Sequence, residues 1–566
     1  MPATRGTTQP KEDSEVGPDT KRVKHDTPPS ESQPPKRTSS RILEKETAKV
    51  KEAPKATKEA APTKVARVPR KASQAAGSGS ATTLVKDINS LKIEGSGKQD
   101  AKTKSAKVVE SKPIVMFNNL PVLHPHQRPS LHLFVWGAGD AGQLAMGPDF
   151  FDQLDKPRRS AFVDDGIEND IFGEDEAGLE AIAAGGLQTL FIDEKGTIWS
   201  CGANDNAALG RPTHMIPDPK DEKQTIEVDV ETSLPVSVPS PIKSLVDEGF
   251  RAVRVYAGDS ISAAISDQGE LRIWGTFRGN QGLVGFSIEA EREVTPTAVF
   301  DTKSEKVTSV AIGNNHLILL TTAGVVYTLG VGEEGQLGRR VVERRKIRGT
   351  LPEKIVLGNK RHRKAVAVGA GNNHSFAVDE DGVVWGWGIN SKGQLGTGVS
   401  DIRVDAEVMS PKKVIGLSKA ELGGNVSVVE IAGGDLHTLF LTSDGRVFAC
   451  GLSEEGRLGL DDDHVAFKER SFPDFIPEPV HVPFPDSEEE DPVVHIACGT
   501  NNNLAVTRDG ALYSWGRQVV GELGLGHDED AMTPTVVVRR NGGSWAAEQI
   551  ACGGQHVLAL LRKRSP

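Results

Sequence analysis

The chain has 566 residues, of which 60 are Gly and only 4 are Cys, and its formal net charge is −11 at pH 7. No apolar run reaches membrane-spanning length, and no N-terminal apolar segment resembles a signal peptide. The cysteines, Cys201, Cys450, Cys498 and Cys552, show no CxxC or metal-ligand spacing. We therefore predict an intracellular protein without membrane association, in which the cysteines are small buried thiols.

The first 112 residues differ in composition from the rest. They contain 24 Lys and Arg against 14 Asp and Glu, whereas the remainder contains 43 against 64. They also hold no Phe, Trp or Tyr and many Pro, Ser, Thr and Ala, so they cannot bury enough apolar surface to offset the entropy of ordering. We predict that residues 1–112 form a disordered basic arm and that residues 113–130 link this arm to the folded part.

Two short basic clusters in the arm have the spacing of a bipartite nuclear import signal. A basic arm on an otherwise acidic chain also favours an acidic partner, and nucleic acid is the most common one. We predict a nuclear protein, and the alternative is that the arm only keeps the chain soluble. The residues of the import signal are Lys21, Arg22, Lys24, Lys36 and Arg37.

From Leu131 onwards one pattern occurs seven times. A short strand of β-branched and aromatic residues ends at a glycine, and a tetrapeptide similar to Gly-Gln-Leu-Gly follows closely, as in residues 384–396. Self-similarity at such a period indicates one supersecondary unit used seven times. The strand-ending glycines are Gly137, Gly202, Gly275, Gly330, Gly388, Gly451 and Gly516.

A second motif, Gly-x-x-His or a variant of it, opens an apolar strand in each repeat, as in Gly313-Asn-Asn-His316. The first Trp-Gly strand, residues 131–137, has no such strand before it, and the last apolar strand, residues 553–561, has no Trp-Gly strand after it. Each end therefore supplies part of one unit, and pairing the two ends closes a ring with few exposed strand edges. We predict an all-β fold, a seven-bladed β-propeller over residues 131–563.

The sequence contains no nucleophile with a base, no metal-ligand pair and no phosphate-binding glycine loop at convincing spacing. We therefore predict no covalent chemistry, no cofactor and no metal. The recurring histidines favour a structural role in the turns. Polar residues in the same loops are expected around one end of the ring, where they suit protein binding. These residues are Asp259, Asn315, Asn373, Asp435, Asn501 and Gln555.

Charged segments interrupt the repeats. The acidic segments 164–176 and 486–491 are expected to be solvated loops. The basic segments 339–348 and 360–364 could instead hold phosphates or an acidic protein surface.

The combination of Gly-x-x-His, Trp-Gly and Gly-Gln-Leu-Gly, seen together in residues 313–338, resembles the repeat of the regulator of chromosome condensation family. Residues 257–260, 274–278 and 202–211 are similar to segments of those members that act as nuclear guanine-nucleotide exchange factors for the small GTPase Ran. The resemblance covers all seven repeats. It implies that the chain promotes release of GDP and loading of GTP at chromatin, and that it supports nucleocytoplasmic transport and mitotic chromosome and spindle functions.

The same resemblance implies roles for particular residues and partners. The implied partners are Ran, nucleosomes or DNA through the basic arm, and a nuclear import receptor, and a chromatin contact is implied at Arg292 in loop 286–294. The alternative is a propeller scaffold without exchange activity, because a fold does not carry function by itself. The implied GTPase-binding wedge is Gly202, Ala203, Asn204, Asp205, Asn206, Ala207, Ala208, Leu209, Gly210 and Arg211, and the implied GTPase-facing rim is Asp140, Asp259, Asn315, His316, His437 and His556.

Overall fold

The structure is a computed structural model, which describes residues 116–565 apart from 123–125, 222, 286–289, 301–304, 342–349, 360–361, 399–405, 469–471, 473 and 486–488. The arm predicted over residues 1–112, with its import signal, lies outside the described residues. None of the described helices is long and apolar enough to cross a membrane.

The described residues form many short strands and few helices. The strands are β1 (His132–Gly137), β2 (Leu154–Arg159), β3 (Leu179–Ala184), β4 (Gln188–Asp193), β5 (Ile198–Gly202), β6 (Thr213–Pro217), β7 (Thr225–Asp229), β8 (Ser240–Pro241), β9 (Ala252–Ala257), β10 (Ile261–Ser266), β11 (Leu271–Gly275), β12 (Phe277–Gly279), β13 (Gly282–Val284), β14 (Glu293–Thr297), β15 (Val307–Ile312) and β16 (His316–Thr321). They continue with β17 (Val326–Gly330), β18 (Glu353–Lys354), β19 (Ala365–Ala370), β20 (His374–Asp379), β21 (Val384–Ile389), β22 (Glu407–Lys413), β23 (Val428–Gly433), β24 (His437–Thr442), β25 (Val447–Leu452), β26 (Phe475–His481), β27 (Val493–Cys498), β28 (Asn502–Thr507), β29 (Leu512–Gly516), β30 (Ala531–Val538), β31 (Trp545–Cys552) and β32 (His556–Lys563). The helices are α1 (Ala161–Glu168), α2 (Lys243–Glu248), α3 (Lys419–Leu422) and α4 (Val465–Lys468), with a 3-10 turn at Glu454–Gly456.

Within the described residues these strands form seven four-stranded antiparallel units. Two of the units, β19–β22 and β23–β26, are joined by a single parallel bridge between Ala370 and Ala432. The inner strands β3, β9, β15, β19, β23, β27 and β31 contact one another in a closed cycle and line a shared channel. This is the architecture of a β-propeller, the fold class predicted from the sequence.

The first and last strands of the ring belong to one unit. Strand β1 pairs antiparallel with β32 over its whole length, from His132 opposite Leu561 to Gly137 opposite His556. The unit is therefore built from both ends of the repeat region, in the strand order β2-β1-β32-β31.

Steric constraints explain the glycine that lies at or next to the end of the third strand of every unit. At all seven positions φ is positive, from 93° at Gly275 to 117° at Gly451, and an added Cβ would lie 2.2 to 2.6 Å from a carbonyl oxygen of the preceding loop. The N–H of the residue after the glycine donates to that same carbonyl, as in Val331 N to Asn315 O at 2.9 Å. Only glycine fits this approach, which explains why the motif recurs.

The repeated tryptophans join neighbouring units. Trp136, Trp274 and Trp387 are fully buried, and each indole Nε1–H donates to a backbone carbonyl in the tetrapeptide loop of the adjacent unit. The last glycine of that loop lies against the indole, because a Cβ at Gly210 would meet Trp274 at 2.8 Å. The Gly-x-Leu-Gly motif is therefore a joint between units.

A chain of hydrogen bonds also crosses between units. His316, His374 and His556 contact a Ser or Thr hydroxyl of the next unit through Nε2, at 2.8, 2.7 and 2.9 Å. Each hydroxyl also donates its hydrogen to a tetrapeptide carbonyl, as Thr438 Oγ1 does to Gln394 O at 2.7 Å. A hydroxyl has one hydrogen, so it accepts from the imidazole, and Nε2 carries the proton. We call this arrangement the histidine relay.

The acidic segment after β2 is only in part the solvated loop that the sequence suggests. Residues 161–168 form helix α1, and Val163, Ile167 and Phe172 are buried whereas Asp165 remains exposed. For residues 164–168 the prediction is wrong because apolar residues four positions apart give an amphipathic helix even when acidic residues surround them. Residues 169–176 are turns that are mostly exposed, as predicted.

The late acidic segment is also partly buried. Residues 486–488 lie outside the described residues, but the run ends at Asp491, which is 3 % exposed. Its carboxylate accepts from Thr507 Oγ1 at 2.7 Å and from the N–H of Asp509 at 2.8 Å. At this residue the expectation of a solvated loop is wrong, because the carboxylate fixes a turn.

The cysteines are unpaired, as predicted, but the prediction that they are buried is confirmed for only two of them. All four are free, with Cys201 and Cys450 buried and Cys498 and Cys552 half-buried. Burial raises the pKa of Cys201 to about 12, so this thiol stays protonated and unreactive near neutral pH.

Candidate functional site: the loop face

The two ends of the ring carry different connections. The loops between inner and second strands, such as 258–260 and 313–315, lie at one end together with the connections from third to outer strands, and we call this end the loop face. The turns between second and third strands, such as 194–196 and 322–324, lie at the other end, which we call the turn face.

Backbone hydrogen bonds connect neighbouring loops around the loop face. Examples are Asn314 N to Asn372 O and Asp435 N to Thr500 O, both at 3.0 Å. The carboxylates of Asp259 and Asp435 line the mouth of the central channel within this rim. The rim is therefore a polar surface on a rigid frame.

Two hairpins are added to the four-stranded units. Strands β6 and β7 pair only with each other, and so do β12 and β13. Both hairpins follow a third strand, so both belong to the loop face.

The segment 202–211, the predicted wedge, is mostly buried. Among its ten residues Asp205 is exposed, Ala203 and Asn206 are half-buried, and the others are buried. Asn204 is 8 % exposed, and its Oδ1 accepts from Leu209 N at 3.0 Å. The segment is therefore a joint between units, and the prediction that it inserts into a partner is wrong for its buried residues.

The last residue of this segment anchors the hairpin that follows it. Arg211 Nη1 lies 2.8 Å from Asp229 Oδ2, and both side chains are at most 4 % exposed. Arg211 Nη2 also donates to Ser200 O at 3.2 Å. Hydrogen bonds from Arg211 and from the turn lower the pKa of the Asp229 carboxyl although burial opposes this, so the pair is ionised at neutral pH.

The second hairpin, β12–β13, is short and open to solvent at its tip. Arg278, Asn280, Gln281 and Gly282 are exposed, and an added Cβ at Gly282 would meet nothing within 4 Å. Its root is fixed, because Phe277 is fully buried against the neighbouring unit. This hairpin therefore has the accessible position on the loop face that the sequence interpretation expected of residues 202–211.

Side chains of the next unit hold the outer edge of this hairpin. Asn315 Oδ1 accepts from Arg278 N at 2.7 Å, and Glu333 Oε2 accepts from Asn280 N at 2.9 Å. On the other side, Arg292 Nη1 donates to Asp205 O at 3.4 Å. The chromatin contact expected at Arg292 stays a prediction, but the structure places this guanidinium on the loop face.

Two carboxylates and one amide of the predicted rim lie where a partner could reach them. Asp140 and Asp259 are exposed on the loop face, and Asn315 is half-buried at the hairpin. In the loop after β17, burial raises the pKa of Glu334, and the carboxylates of Glu407 and Asp435 add to the effect. Carboxylates therefore occur in several units of the loop face, where they would attract basic groups of a partner.

The three histidines of the predicted rim do not face a partner. His316, His437 and His556 are 0 % exposed, and His437 Nε2 lies 2.8 Å from Asn503 Oδ1 of the next unit. Burial lowers the pKa of each of the three to about 4, so they are neutral at physiological pH. Their prediction as rim contacts is wrong, since all three side chains are buried in hydrogen bonds to the next unit: those of His316 and His556 in the histidine relay and that of His437 with Asn503.

In the described parts of the basic segments, two arginines make contacts within the protein. Arg339 Nη1 lies 3.1 Å from Glu353, and its Nη2 donates to Thr328 O at 3.2 Å. Arg363 contacts the buried carboxylate of Asp379. Residues 342–349 and 360–361 lie outside the described residues.

Sequence reasoning missed the β12–β13 hairpin, although a signal was present. The two-residue loop Asn280-Gln281 is flanked by Gly279 and Gly282, a pattern typical of tight hairpins. No group of three or more His, Cys, Asp or Glu side chains in the described part of the chain could hold a metal ion.

The model of the RCC1-like domain family matches residues 132–559. The chain belongs to this family. Protein pim1 of Schizosaccharomyces pombe is 35 % identical over 443 residues, covering 77 % of the chain and 75 % of that protein. The guanine nucleotide exchange factor SRM1 of Saccharomyces cerevisiae is 31 % identical, covering 75 % and 86 %. The crystal structure of Saccharomyces cerevisiae Prp20p, reported with its binding to Gsp1p and histones, has a TM-score of 0.64 at 29 % identity and covers 78 % of the chain and 93 % of Prp20p.

Proposed function

We propose that the protein is a guanine-nucleotide exchange factor for the small GTPase Ran. The observation that carries the proposal is the rigid loop face with its exposed β12–β13 hairpin, in a chain of the same family as the exchange factor SRM1. The chain acts as a regulator of the GTPase and forms no covalent intermediate.

The thermodynamic requirement of exchange can be met by a binding surface alone. A GTPase that holds its nucleotide with nanomolar affinity retains about 12 kcal/mol of binding free energy. An exchange factor that binds the empty GTPase better than the loaded one weakens nucleotide binding by the same factor, because linkage is reciprocal. The excess of GTP over GDP in the cell then sets the direction.

The β12–β13 hairpin is suited to supply this difference in affinity. Its N–H groups at Arg278 and Asn280 are already paired within the protein, and Phe277 fixes its root. Because the hairpin is ordered before binding, little conformational entropy is lost when it inserts beside the phosphate-binding loop of the GTPase. The carboxylates of Asp140 and Asp259 would contact basic groups around that site.

We extend the proposal to localisation and further partners. The basic arm would bind an import receptor through Lys21, Arg22, Lys24, Lys36 and Arg37, and it would hold the protein at nucleosomes by contact with phosphates. The binding of Prp20p to histones supports a chromatin partner. In this proposal the protein acts in the nucleus.

The test follows release of a fluorescent guanine nucleotide from purified Ran. The intact chain should accelerate release, and a triple variant of the hairpin tip, Arg278→Ala with Asn280→Ala and Gln281→Ala, should lose at least tenfold of this activity, a change of about 1.4 kcal/mol in the barrier. The matched control carries Asp218→Ala, Lys220→Ala and Gln224→Ala at the tip of the β6–β7 hairpin. No acceleration by folded protein would leave the scaffold alternative, and loss of activity in the control alone would transfer the role to β6–β7.

A further inference from the structure

We infer that Glu333 is a positioning residue for nucleotide exchange, because it sets the orientation of the β12–β13 hairpin from the neighbouring unit. The inference rests on the proposed exchange function. Glu333 lies in the loop after β17, whereas the hairpin belongs to the unit of β9–β11 and β14.

Only one edge of β12 pairs with β13. Phe277 and Gly279 lie opposite Val284 and Gly282 across the two-residue loop, so the other edge of β12 faces away from β13. The N–H groups of Arg278 and Asn280 are oriented towards the next unit and are paired there by side-chain oxygens. Both contacts are open to solvent, where water could pair the same N–H groups, so the two acceptors act by holding the hairpin in one orientation against that unit.

Glu333 contacts the tip and Asn315 contacts the base. Glu333 Oε2 is 2.9 Å from Asn280 N, and an added Cβ at Gly279 would lie 3.3 Å from Glu333 Oε1. The carboxylate therefore lies directly against the strand as well as accepting its hydrogen bond. Thr276 Oγ1, just before β12, donates to Glu291 O at 2.6 Å, and this hydrogen bond joins the two chain segments at the base of the hairpin.

This geometry distinguishes an effect of Glu333 on nucleotide release, measured by kcat, from an effect on the first binding of the loaded GTPase, measured by KM. The exposed rim carboxylates are free to contact the loaded GTPase when the complex first forms, whereas the hairpin has to be in place when the nucleotide leaves. Loss of the Glu333 contact should therefore lower kcat more than it changes KM.

Three variants test the inference. Glu333→Ala removes the acceptor, and Glu333→Gln retains a side-chain oxygen that can accept from Asn280 N. Glu380→Ala is the matched control, because Glu380 is an exposed glutamate on the turn face that also accepts a backbone N–H, from Lys364 at 3.4 Å.

The first measurement is amide hydrogen exchange of residues 277–284 in the free protein. Glu333→Ala should accelerate exchange in this segment, and Glu333→Gln and Glu380→Ala should leave it close to that of the unmodified chain. Unchanged exchange in Glu333→Ala would overturn the inference without bearing on the proposed function.

The second measurement is nucleotide release from the GTPase. Glu333→Ala should lower kcat roughly tenfold with KM within about twofold, as expected for loss of one charge-assisted hydrogen bond, and Glu333→Gln should restore most of kcat. A higher KM at unchanged kcat would make Glu333 a direct contact of the partner and would overturn the inference. A Glu333→Gln variant as slow as Glu333→Ala would do the same. No release by the unmodified chain would instead refute the proposed function, and with it any role of Glu333 in exchange.

Discussion

His556 Nε2 lies 2.9 Å from Thr189 Oγ1, across the boundary between the unit that contains both ends of the repeat region and the unit of β3, β4, β5 and β8. Thr189 Oγ1 in turn donates to Gln143 O at 2.7 Å. One hydroxyl thus connects an imidazole from the last repeat to a loop of the first.

Replacement of Thr189 by Val should destabilise the protein by about 1–3 kcal/mol, because the buried imidazole N–H and the Gln143 carbonyl both lose their partner. Thr189→Ser keeps the hydroxyl and is the control, with a loss of less than about 1 kcal/mol expected for the missing methyl group. Urea unfolding followed by tryptophan fluorescence measures both. Equal losses in the two variants would show that packing, and not the hydrogen bonds, is responsible.

The histidine relay predicts a loss of stability in mild acid. Burial lowers the pKa of His374 to about 3 and that of His316, His437 and His556 to about 4, from an ordinary value of 6.5. Between about pH 4 and 6.5 the unfolded chain therefore binds more protons than the folded one. The free energy of unfolding should fall as pH decreases through this range.

Urea unfolding at pH 7.5 and 5.0 measures this effect, and His374→Gln is the comparison. The variant should be less stable at pH 7.5, since its side chain fills the site less well, but its loss between the two pH values should be smaller. A pH dependence identical to that of the unmodified chain would show that His374 does not contribute.

Gly388→Ala should destabilise the protein by about 3 kcal/mol or more, because strain and a steric clash act together. Here φ is 107°, and the new Cβ would lie 2.6 Å from Asn373 O. Gly416→Ala is the control, since φ is 77° but no atom lies within 4 Å of the added Cβ, and about 1 kcal/mol is expected from the backbone alone. Thermal unfolding would contradict the steric explanation if both variants lost the same amount.

Arg211→Met should cost about 3–5 kcal/mol, because it leaves the Asp229 carboxylate buried without its guanidinium. Lys220→Ala removes an ion pair with Asp149 in which both side chains are at least 70 % exposed, and it should cost less than about 1 kcal/mol. Denaturant midpoints distinguish the two cases. A small effect of Arg211→Met would mean that the turn N–H groups alone stabilise Asp229.

The fold could be predicted from the sequence because its determinants are local. Gly388 and its six counterparts each need a positive φ beside a carbonyl, so the same residue recurs at every unit. The functional roles were harder to predict, since burial depends on the neighbouring unit. Residues 207–210 depart from the Gly-Gln-Leu-Gly pattern, yet the Ala208 carbonyl still accepts from Trp274 Nε1 at 2.8 Å. Because the acceptor is a backbone carbonyl, the contact does not depend on which side chain stands at that position, and the sequence does not reveal it.

The histidines show the same limitation. A recurring His beside a loop suggests either a structural bond or a rim contact, and the sequence favoured a structural role for most of them. The structure shows that the partner of His316 is Ser375, in the next unit and not in its own turn. The sequence of one repeat does not show which residue of the next unit lies beside its histidine. The partner of His316 could therefore not be predicted.

The pairing of β1 with β32 has a consequence for synthesis of the protein. The first ring strand can pair with β2 soon after it emerges from the ribosome, but its other neighbour, β32, is translated only after the rest of the ring. At the usual rate of elongation this delay is on the order of half a minute or more. During that time Trp136 and Val135, which are fully buried in the finished ring, are without their final neighbours. One edge of β1 therefore stays open until β32 has been made, and a chain truncated shortly before β32 cannot complete this unit at all.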